Sequence, residues 1–254
     1  VAELRPAAVF HLAALASVGR SWRDPAESLN QNIAMTLHLL EAVRCEAPEA
    51  TTLVAGSGEV YGKPERLPMD EDAPLRPQNP YAVSKAACDL LAGQYADAYG
   101  LPVLRTRAFN HAGPGQSEAY VIGTICRQVA EAEARGSEEA VLSMGNLDAR
   151  RDFTDVRDVA RAYVLSAGIE PGIYNICSGR SVSVRELVEL AAAAARVPVR
   201  VELDPERVRA SDVPEVVGSA ERLRAATGWE PRIPLERTVG DALDSWRGRL
   251  VAAG

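Results

Sequence analysis

The stretch Thr51–Gly62, TTLVAGSGEVYG, decides the fold, because a short apolar run passes directly into a glycine-rich turn. Its first five residues, Thr51–Ala55, are typical of a strand buried inside a parallel sheet. An earlier apolar run, Ala7–Ala14, has the same character, and a segment with helical periodicity from Asp24-Pro25 to about Arg44 lies between the two. Strands that alternate with helices at this spacing indicate βαβ units, so the sequence predicts a doubly wound α/β fold with a parallel sheet.

The alternation continues after the glycine-rich turn. Lys63–Pro80 is a loop rich in prolines and acids, followed by a helix over Tyr81–Tyr99 and a strand over Leu101–Ala108. Beyond about Gly113 the pattern weakens. Three later segments are expected to contain helices: Tyr120–Arg135, Asp152–Ala167, which also holds a strand edge, and the alanine-rich Val182–Arg196.

These segments predict two interleaved parts. We expect a sheet domain over residues 1–112, with returning segments near 151–178, and a smaller lobe formed mainly by residues 113–254. The chain starts at Val1, and the residues before Ala7 are interpreted as the end of a helix that runs into the first strand.

The composition limits the class of partner. The chain has 254 residues, of which 47% are apolar, which is enough to bury a sizeable core. A formal net charge of −7 without a basic cluster argues against nucleic acid or an anionic membrane as the partner. Because Lys63 and Lys85 are the only lysines, an anion site would be built from arginine, whose planar fork suits phosphate.

The cysteines and histidines are too scattered to indicate a metal site. The four cysteines and three histidines show no paired ligand spacing, so we expect no zinc and instead reduced, buried thiols. The sequence shows no secretory leader and no apolar run long enough to span a bilayer. These features predict a soluble cytoplasmic protein.

Tyr81 and Lys85 are the first candidate catalytic residues. Their four-residue offset places the phenol and the ammonium on one face of the predicted helix. A phenol with an unperturbed pKa near 10 is a weak acid at neutral pH, and a nearby ammonium favours its ionised form. Tyr81 could then exchange a proton with a substrate oxygen. Chance occurrence, with a packed tyrosine and a solvated lysine, is the competing interpretation.

Two further candidates follow predicted strands. Gly56–Gly62 resembles a phosphate-binding loop, but it runs into Lys63-Pro64 instead of opening a helix, so we interpret Ser57 as a hydroxyl that bonds the reacting oxygen. Asn110 comes just after the strand that ends at Ala108, at the edge where open α/β sheets bind ligands. A local turn is the alternative explanation for Asn110.

Arginines in the second half could bind a diphosphate. Arg151 and the later Arg209 could grip it through paired hydrogen bonds, with Asp212 orienting Arg209. In a chain this rich in arginine, a solvated surface position is the competing interpretation for each of them.

Six ordered segments together resemble the extended short-chain dehydrogenases/reductases that act on nucleotide-linked sugars. They are His11–Ala14 (HLAA), Ser57–Gly62 (SGEVYG), Tyr81–Lys85 (YAVSK), Asn110, Arg151–Phe153 (RDF) and Thr227–Pro231 (TGWEP). The resemblance covers essentially the whole chain and implies a Rossmann-type sheet, a cofactor that is NADP or NAD, and a nucleotide-sugar substrate.

The resemblance also assigns roles to the candidate residues. The cofactor would contact His11, Leu12, Ala13, Ala14, Asn32, Tyr81 and Lys85, with Asn32 steadying the helix beside it and Lys85 holding the nicotinamide ribose. The reacting sugar oxygen would contact Ser57 and Tyr81. The nucleotide and its diphosphate would contact Asn110, Arg151 and Arg209, and Asp212, which orients Arg209, completes the substrate-binding set.

Within this family, three segments are most similar to reductases of GDP-4-dehydro-6-deoxy-mannose, which form GDP-rhamnose. They are Phe109–Gln116, Ala149–Asp158 and Asn175–Arg180. The related 4,6-dehydratases share a glutamate at the position of Glu59 but need a proton-relaying side chain beside it. Gly58 stands there instead, which favours reduction. Glu59 itself could serve as a dehydratase base, so dehydratase and 4-epimerase activities stay open.

The family's amino-terminal strand and GxxGxxG turn have no counterpart among these residues, which lack about two βαβ units of it. The sequence therefore does not discriminate between NAD and NADP. A catalytically silent binding or assembly module is the alternative to an enzyme. That alternative ranks lower, because Ser57, Tyr81 and Lys85 are all present. The apolar positions on Ser28–Arg44 and Tyr81–Tyr99 could be core faces or could pair across a two-fold axis. By resemblance we expect a homodimer.

Overall fold

The computed structural model describes residues 1–207 and 213–253, and it divides the chain into two compact units. Unit 1 comprises Val1–Phe109, Val159–Gly179 and Gly218–Glu230. Unit 2 comprises Asn110–Asp158, Arg180–Val217 and Pro231–Gly254.

Ten strands and eight α-helices are formed by the described residues. The strands are β1 Ala8–His11, β2 Thr51–Ala55, β3 Val103–Ala108, β4 Asn110–Ala112, β5 Ala140–Met144, β6 Arg150–Asp155, β7 Gly172–Ile176, β8 Ser181–Ser183, β9 Val199–Leu203 and β10 Glu215–Val216. The helices are α1 Val18–Arg23, α2 Pro25–Glu46, α3 Pro80–Tyr99, α4 Val121–Ala134, α5 Val156–Ser166, α6 Val184–Ala194, α7 Glu221–Thr227 and α8 Leu235–Ala253.

Unit 1 is built on a parallel sheet of four strands in the order β1-β2-β3-β7. On one face, α2 and α3 bury a cluster that includes Leu40 and Ala92 against the strand residue Val103. On the other face, residues of α5 and α7 pack with Trp229 against strand residues such as Leu104. Because helices cover both faces of a parallel sheet, the predicted doubly wound, Rossmann-type α/β fold is confirmed.

Unit 2 has two small sheets and a helical layer. Strand β6 pairs in parallel with β4 and β10 and in antiparallel with β8, while β5 and β9 form a separate parallel pair. The core of this unit is closed by α4, α6 and α8 around side chains such as Ile125, Leu142, Leu187 and Leu243, all of them buried.

The structure corrects several predicted elements. Residues 2–4 form a turn and not the end of a helix. Val182 and Ser183 belong to β8 and not to the predicted helix, because they pair with β6 and Ser183 then caps α6 at its amino terminus. The long helix α8 has no counterpart among the predicted elements. Its two glycines and several charged residues interrupt the apolar pattern on which a helix prediction depends.

The cysteines follow the prediction with one exception. All four are free thiols, and three of them are buried, but Cys45 in the last turn of α2 is exposed. Among the residues that the structure describes, no helix combines the length and the apolar composition needed to cross a bilayer. Within the same ranges, 1–207 and 213–253, no cluster of three or more histidine, cysteine, aspartate or glutamate side chains could hold a metal ion.

Candidate active site

The turn after β2 carries Ser57 at the carboxyl edge of the sheet in unit 1. Gly56 is required there, because its N–H donates to the carbonyl oxygen of Thr106 at 2.6 Å and a Cβ atom on residue 56 would collide with that same oxygen. Ser57 is buried and begins the 3₁₀ turn Gly58–Tyr61, with its Oγ accepting from the N–H of Glu59 at 3.2 Å. Since this bond uses only a lone pair, the Ser57 hydroxyl proton can be donated elsewhere.

Helix α3 carries the predicted tyrosine and lysine in its first two turns. Asn79 caps the helix by accepting from the N–H of Ala82 at 2.8 Å, and Pro80 occupies the first helical position, which it tolerates well. Tyr81 and Lys85 are both buried, at 9% and 7% exposure. Their four-residue spacing on a continuous helix places both side chains on one helical face.

Lys85 is a buried residue with no fixed partner among the described residues. Its ammonium forms no hydrogen bond or ion pair with any residue in the described part of the chain, and burial lowers its pKa. An ammonium in this position is available to a ligand or to the neighbouring phenol.

The segment after β1 is held against α3 by Asn32. The N–H of Leu15 donates to Asn32 Oδ1 at 2.7 Å, and Asn32 Nδ2 donates to the Leu15 carbonyl at 3.2 Å and to Ser84 Oγ at 2.9 Å. One buried amide thus joins α2, the segment that follows β1 and the residue beside Lys85. Leu12 and Ala13 in this segment are exposed, although they are apolar.

His11 is the last residue of β1 and lies near Lys85. Its Nε2 is 3.2 Å from Thr36 Oγ1, which in turn contacts Cys88 Sγ at 3.2 Å. Burial, with a smaller contribution from the positive charge of Lys85, lowers the pKa of His11. A neutral imidazole beside a buried lysine avoids placing two positive charges in one poorly solvated region.

A polar network inside unit 1 supports the candidate site. Arg107 Nε donates to Asp89 Oδ2 on α3 at 2.7 Å, and its Nη1 donates to Tyr61 Oη at 3.0 Å and to the Glu71 carbonyl at 3.1 Å. Tyr61 Oη donates to Asn175 Oδ1 at 2.6 Å, and the Asn175 N–H donates to Glu71 Oε1 at 2.8 Å. Burial raises the pKa of Tyr61 to about 12, so this phenol stays neutral and keeps donating.

Asn110 and Arg151 lie in unit 2. Asn110 begins β4 and pairs with Phe153 of β6, which places it on the same face of that sheet as Arg151, two residues earlier on the strand. Arg151 Nη1 donates to the carbonyl oxygens of Arg150 at 2.8 Å and Val213 at 2.7 Å. The other two predicted substrate residues, Arg209 and Asp212, lie outside the described residues.

The structure thus places the predicted residues in two groups. His11 to Ala14, Asn32, Ser57, Glu59, Tyr81 and Lys85 belong to unit 1, and Asn110 and Arg151 belong to unit 2. Two supporting residues have no place in the sequence prediction. The Asn79-Pro80 pair is a recognisable helix start, so Asn79 could have been found from the sequence. Arg107 could not have been found, because the sequence does not distinguish a buried arginine in a short strand from a solvent-exposed one.

Comparison with known proteins identifies the family of the chain. The chain matches the family described as GDP-mannose 4,6 dehydratase over residues 1–242. The chain belongs to the GDP-mannose 4,6-dehydratase family. This membership confirms the predicted relationship to the extended short-chain dehydrogenases/reductases.

Individual members of the GDP-mannose 4,6-dehydratase family and its structural neighbours cover most of the chain. It is 41% identical to the GDP-6-deoxy-D-mannose reductase of Pseudomonas aeruginosa over 96% of its length and 82% of that protein. The structure of RMD from P. aeruginosa complexed with NADPH has a TM-score of 0.90 and 39% identity, covering 97% of this chain and 83% of that one. The UDP-glucose 4-epimerase of Thermus thermophilus, solved with NAD, has a TM-score of 0.83 and 32% identity, covering 97% and 79%.

The lowered pKa of His11 predicts a pH dependence of stability. In the unfolded chain His11 takes up a proton near its ordinary pKa of about 6.5, whereas the folded protein resists protonation, so acidification through this range favours unfolding. His11→Gln removes this contribution. The melting temperature of the wild type should therefore fall more than that of His11→Gln between pH 7.5 and pH 5. Parallel melting curves for the two proteins would contradict the assignment.

The Arg107 network predicts a large loss of stability on truncation. Arg107→Met leaves the buried Asp89 carboxylate without its 2.7 Å partner and should lower the free energy of unfolding by about 3 kcal/mol in urea titrations. Arg105→Met is the matched control, since Arg105 contacts the same carboxylate at 3.3 Å but is partly exposed. Arg105→Met should lower the free energy of unfolding clearly less than Arg107→Met does. Equal losses in the two variants would show that Arg107 has no special part in the network.

Proposed function

We propose that the chain reduces the 4-keto group of a GDP-4-keto-6-deoxy-mannose-type nucleotide sugar and so forms GDP-rhamnose. The observation that carries the proposal is the buried ammonium of Lys85, which has no partner among the described residues and lies on the same helical face as Tyr81. The 41% identity to a protein named GDP-6-deoxy-D-mannose reductase supports the choice of substrate.

The residues present fit a nicotinamide cofactor, NADP or NAD. The Lys85 ammonium, which no other described residue binds, is suited to ribose hydroxyls. The exposed apolar residues Leu12 and Ala13 offer a surface for a ring. His11, Ala14, Asn32 and Tyr81 complete the proposed cofactor-binding set. When bound, the reduced cofactor supplies the hydride for C4 of the sugar.

The chain's own residues manage the proton and the developing charge. Reduction of the ketone leaves negative charge on the C4 oxygen, and Tyr81 donates its phenolic proton to that oxygen. Ser57 can donate a hydrogen bond to the same oxygen, because among the described residues its hydroxyl only accepts from Glu59 N–H. The positive charge of Lys85 makes Tyr81 a stronger acid and stabilises the phenolate left behind.

The residues proposed to bind the nucleotide belong to unit 2. We assign Asn110, Arg151 and Arg209 to the diphosphate and nucleoside, with Asp212 orienting Arg209. The choice rests on the chemistry of guanidinium and amide donors toward phosphate oxygens, and on the position of Asn110 and Arg151 on one face of the β4–β6 sheet.

Residue 58 favours reduction over dehydration. Elimination of water would need a side chain there to relay a proton, and glycine has none. A Cβ atom on Gly58 would approach the ring of Phe109 to 3.0 Å, so a larger residue would have to displace this buried ring. Dehydratase and 4-epimerase activities are therefore outcomes of the test below and not second proposals.

The proposal predicts loss of turnover in Tyr81→Phe. The keto-sugar is generated from GDP-mannose by a separate dehydratase, and NADPH consumption is followed by absorbance while the sugar product is identified by chromatography. Tyr81→Phe should lower kcat by about 10²- to 10⁴-fold, because the proton donor is lost. Tyr99→Phe, an exposed tyrosine at the end of the same helix, should match the wild type.

Other results of this assay would replace the proposal. Consumption of GDP-mannose by the chain without the added dehydratase would identify a dehydratase. Interconversion of C4 epimers without net loss of NADPH would identify an epimerase. Failure to bind NADPH in a fluorescence titration would favour a non-catalytic binding or assembly module.

We also propose that the protein works as a homodimer in the cytoplasm. Helices α2 and α3 pack side by side, and α3 exposes Val83 and Leu90 seven residues apart on one face, where a second copy could cover them. The four free thiols agree with a reducing compartment.

The dimer predicts a change of mass in one surface variant. Light scattering after size exclusion should give twice the chain mass of 27.2 kDa for the wild type. Leu90→Glu should give a monomer, since it places a charge on the proposed interface. Val164→Glu, at an equally exposed valine on α5, should remain dimeric. A monomeric wild type would overturn the dimer but not the enzymatic proposal.

A further inference from the structure

Asn79 uses both ends of its side-chain amide. Its Oδ1 accepts from the N–H of Ala82 at 2.8 Å and caps α3, while its Nδ2 donates to Glu59 Oε2 at 3.0 Å. The cap fixes the direction of the amide, so the donor end faces Glu59. The carboxylate of Glu59 is thereby attached to the first turn of the helix that carries Tyr81.

The main chain of Glu59 belongs to the turn Ser57–Tyr61, called the serine turn below. Its N–H donates to Ser57 Oγ at 3.2 Å, within the 3₁₀ turn Gly58–Tyr61. A continuous chain of bonded groups therefore runs from the Ser57 hydroxyl through Glu59 and Asn79 to the start of α3. Ser57 and Tyr81, the two groups proposed to contact the reacting oxygen, stand at its two ends.

The chemistry of ketone reduction leaves Glu59 without a proton-transfer task. Tyr81 supplies the proton, and no C–H bond of the sugar needs a base. A carboxylate beside the amino terminus of a helix is nevertheless favourable, because the helix dipole is positive there and the amide of Asn79 donates to it.

We infer that Glu59 is a positioning residue, which sets the separation of Ser57 and Tyr81 by bridging the serine turn to the Asn79 cap of α3. The inference rests on the proposed reductase function. It replaces the alternative in which Glu59 acts as a catalytic base. In this role Glu59 must provide a side-chain oxygen that reaches Asn79 Nδ2 and accepts its hydrogen bond. The negative charge of the carboxylate matters less than this acceptor.

Glutamine separates the two roles of Glu59. Glu59→Gln keeps a side-chain oxygen that can accept from Asn79 but cannot act as a base. Glu59→Ala removes the acceptor altogether. We expect kcat of Glu59→Gln to stay within about threefold of the wild type and kcat of Glu59→Ala to fall about 10- to 100-fold, with KM for the nucleotide sugar changing much less. The exposed glutamate variant Glu49→Ala is the control and should be unchanged.

The bridge also predicts non-additivity with Asn79. Serine at residue 79 can still cap α3 but is too short to donate to Glu59, so Asn79→Ser should reproduce the loss seen in Glu59→Ala. The double variant should be no slower than the slower single variant. Multiplied losses in the double variant, or a Glu59→Gln as slow as Glu59→Ala, would overturn the inference.

Hydrogen exchange distinguishes this inference from the proposed function. Faster exchange in peptides covering residues 57–62 and 79–84 is expected for Glu59→Ala and Asn79→Ser, but not for Glu59→Gln. If the wild type fails to reduce the keto-sugar, the proposed reaction is wrong, while the exchange pattern still decides whether the bridge exists. Unchanged exchange in Glu59→Ala would refute the bridge even in an active reductase.

Discussion

The buried guanidinium of Arg107 is the constraint that connects the turn carrying Ser57 to the helix carrying Tyr81 and Lys85 in unit 1. A cation inside an apolar core is tolerated only when it is paired and hydrogen-bonded, and three different elements accept hydrogen bonds from this one. Asp89 comes from α3, Tyr61 from the serine turn, and the Glu71 carbonyl from the loop before α3. Because each partner is fixed by the same cation, the serine turn and the helix that bears Tyr81 and Lys85 cannot shift independently.

Most strands of the sheet in unit 1 could be predicted, because the residues that mark where each strand begins and ends are adjacent to it in the sequence. Strand β2 agrees with the prediction to the residue, because Thr51–Ala55 is bounded by a loop on one side and by Gly56 on the other. Helix α2 starts at the predicted Asp24-Pro25 signal. Strand β8 was not predictable in this way. Three residues carry too little periodicity, and only pairing with β6 decides that Val182 is extended.

The features of the candidate site also divide into those that the local sequence predicts and those that depend on tertiary packing. The spacing of Tyr81 and Lys85 on one helical face follows from the sequence, whereas the burial of Lys85 and the absence of a fixed partner among the described residues depend on tertiary packing. Thr36 and Arg107 give no signal that separates them from ordinary helix and strand residues. Asn79 does give one, but the helix-start pattern says only that it caps α3, and not that its amide nitrogen also reaches Glu59.

The distribution of thiols offers a practical consequence. Three of the four cysteines are shielded inside the protein, and Cys45 alone is exposed, near the end of α2. A maleimide spin label or fluorophore would therefore react at one defined position without prior mutagenesis. In a symmetric pair of chains that label would occur twice, so electron–electron distance measurements on the unmodified sequence could map how two α2 helices are spaced in solution.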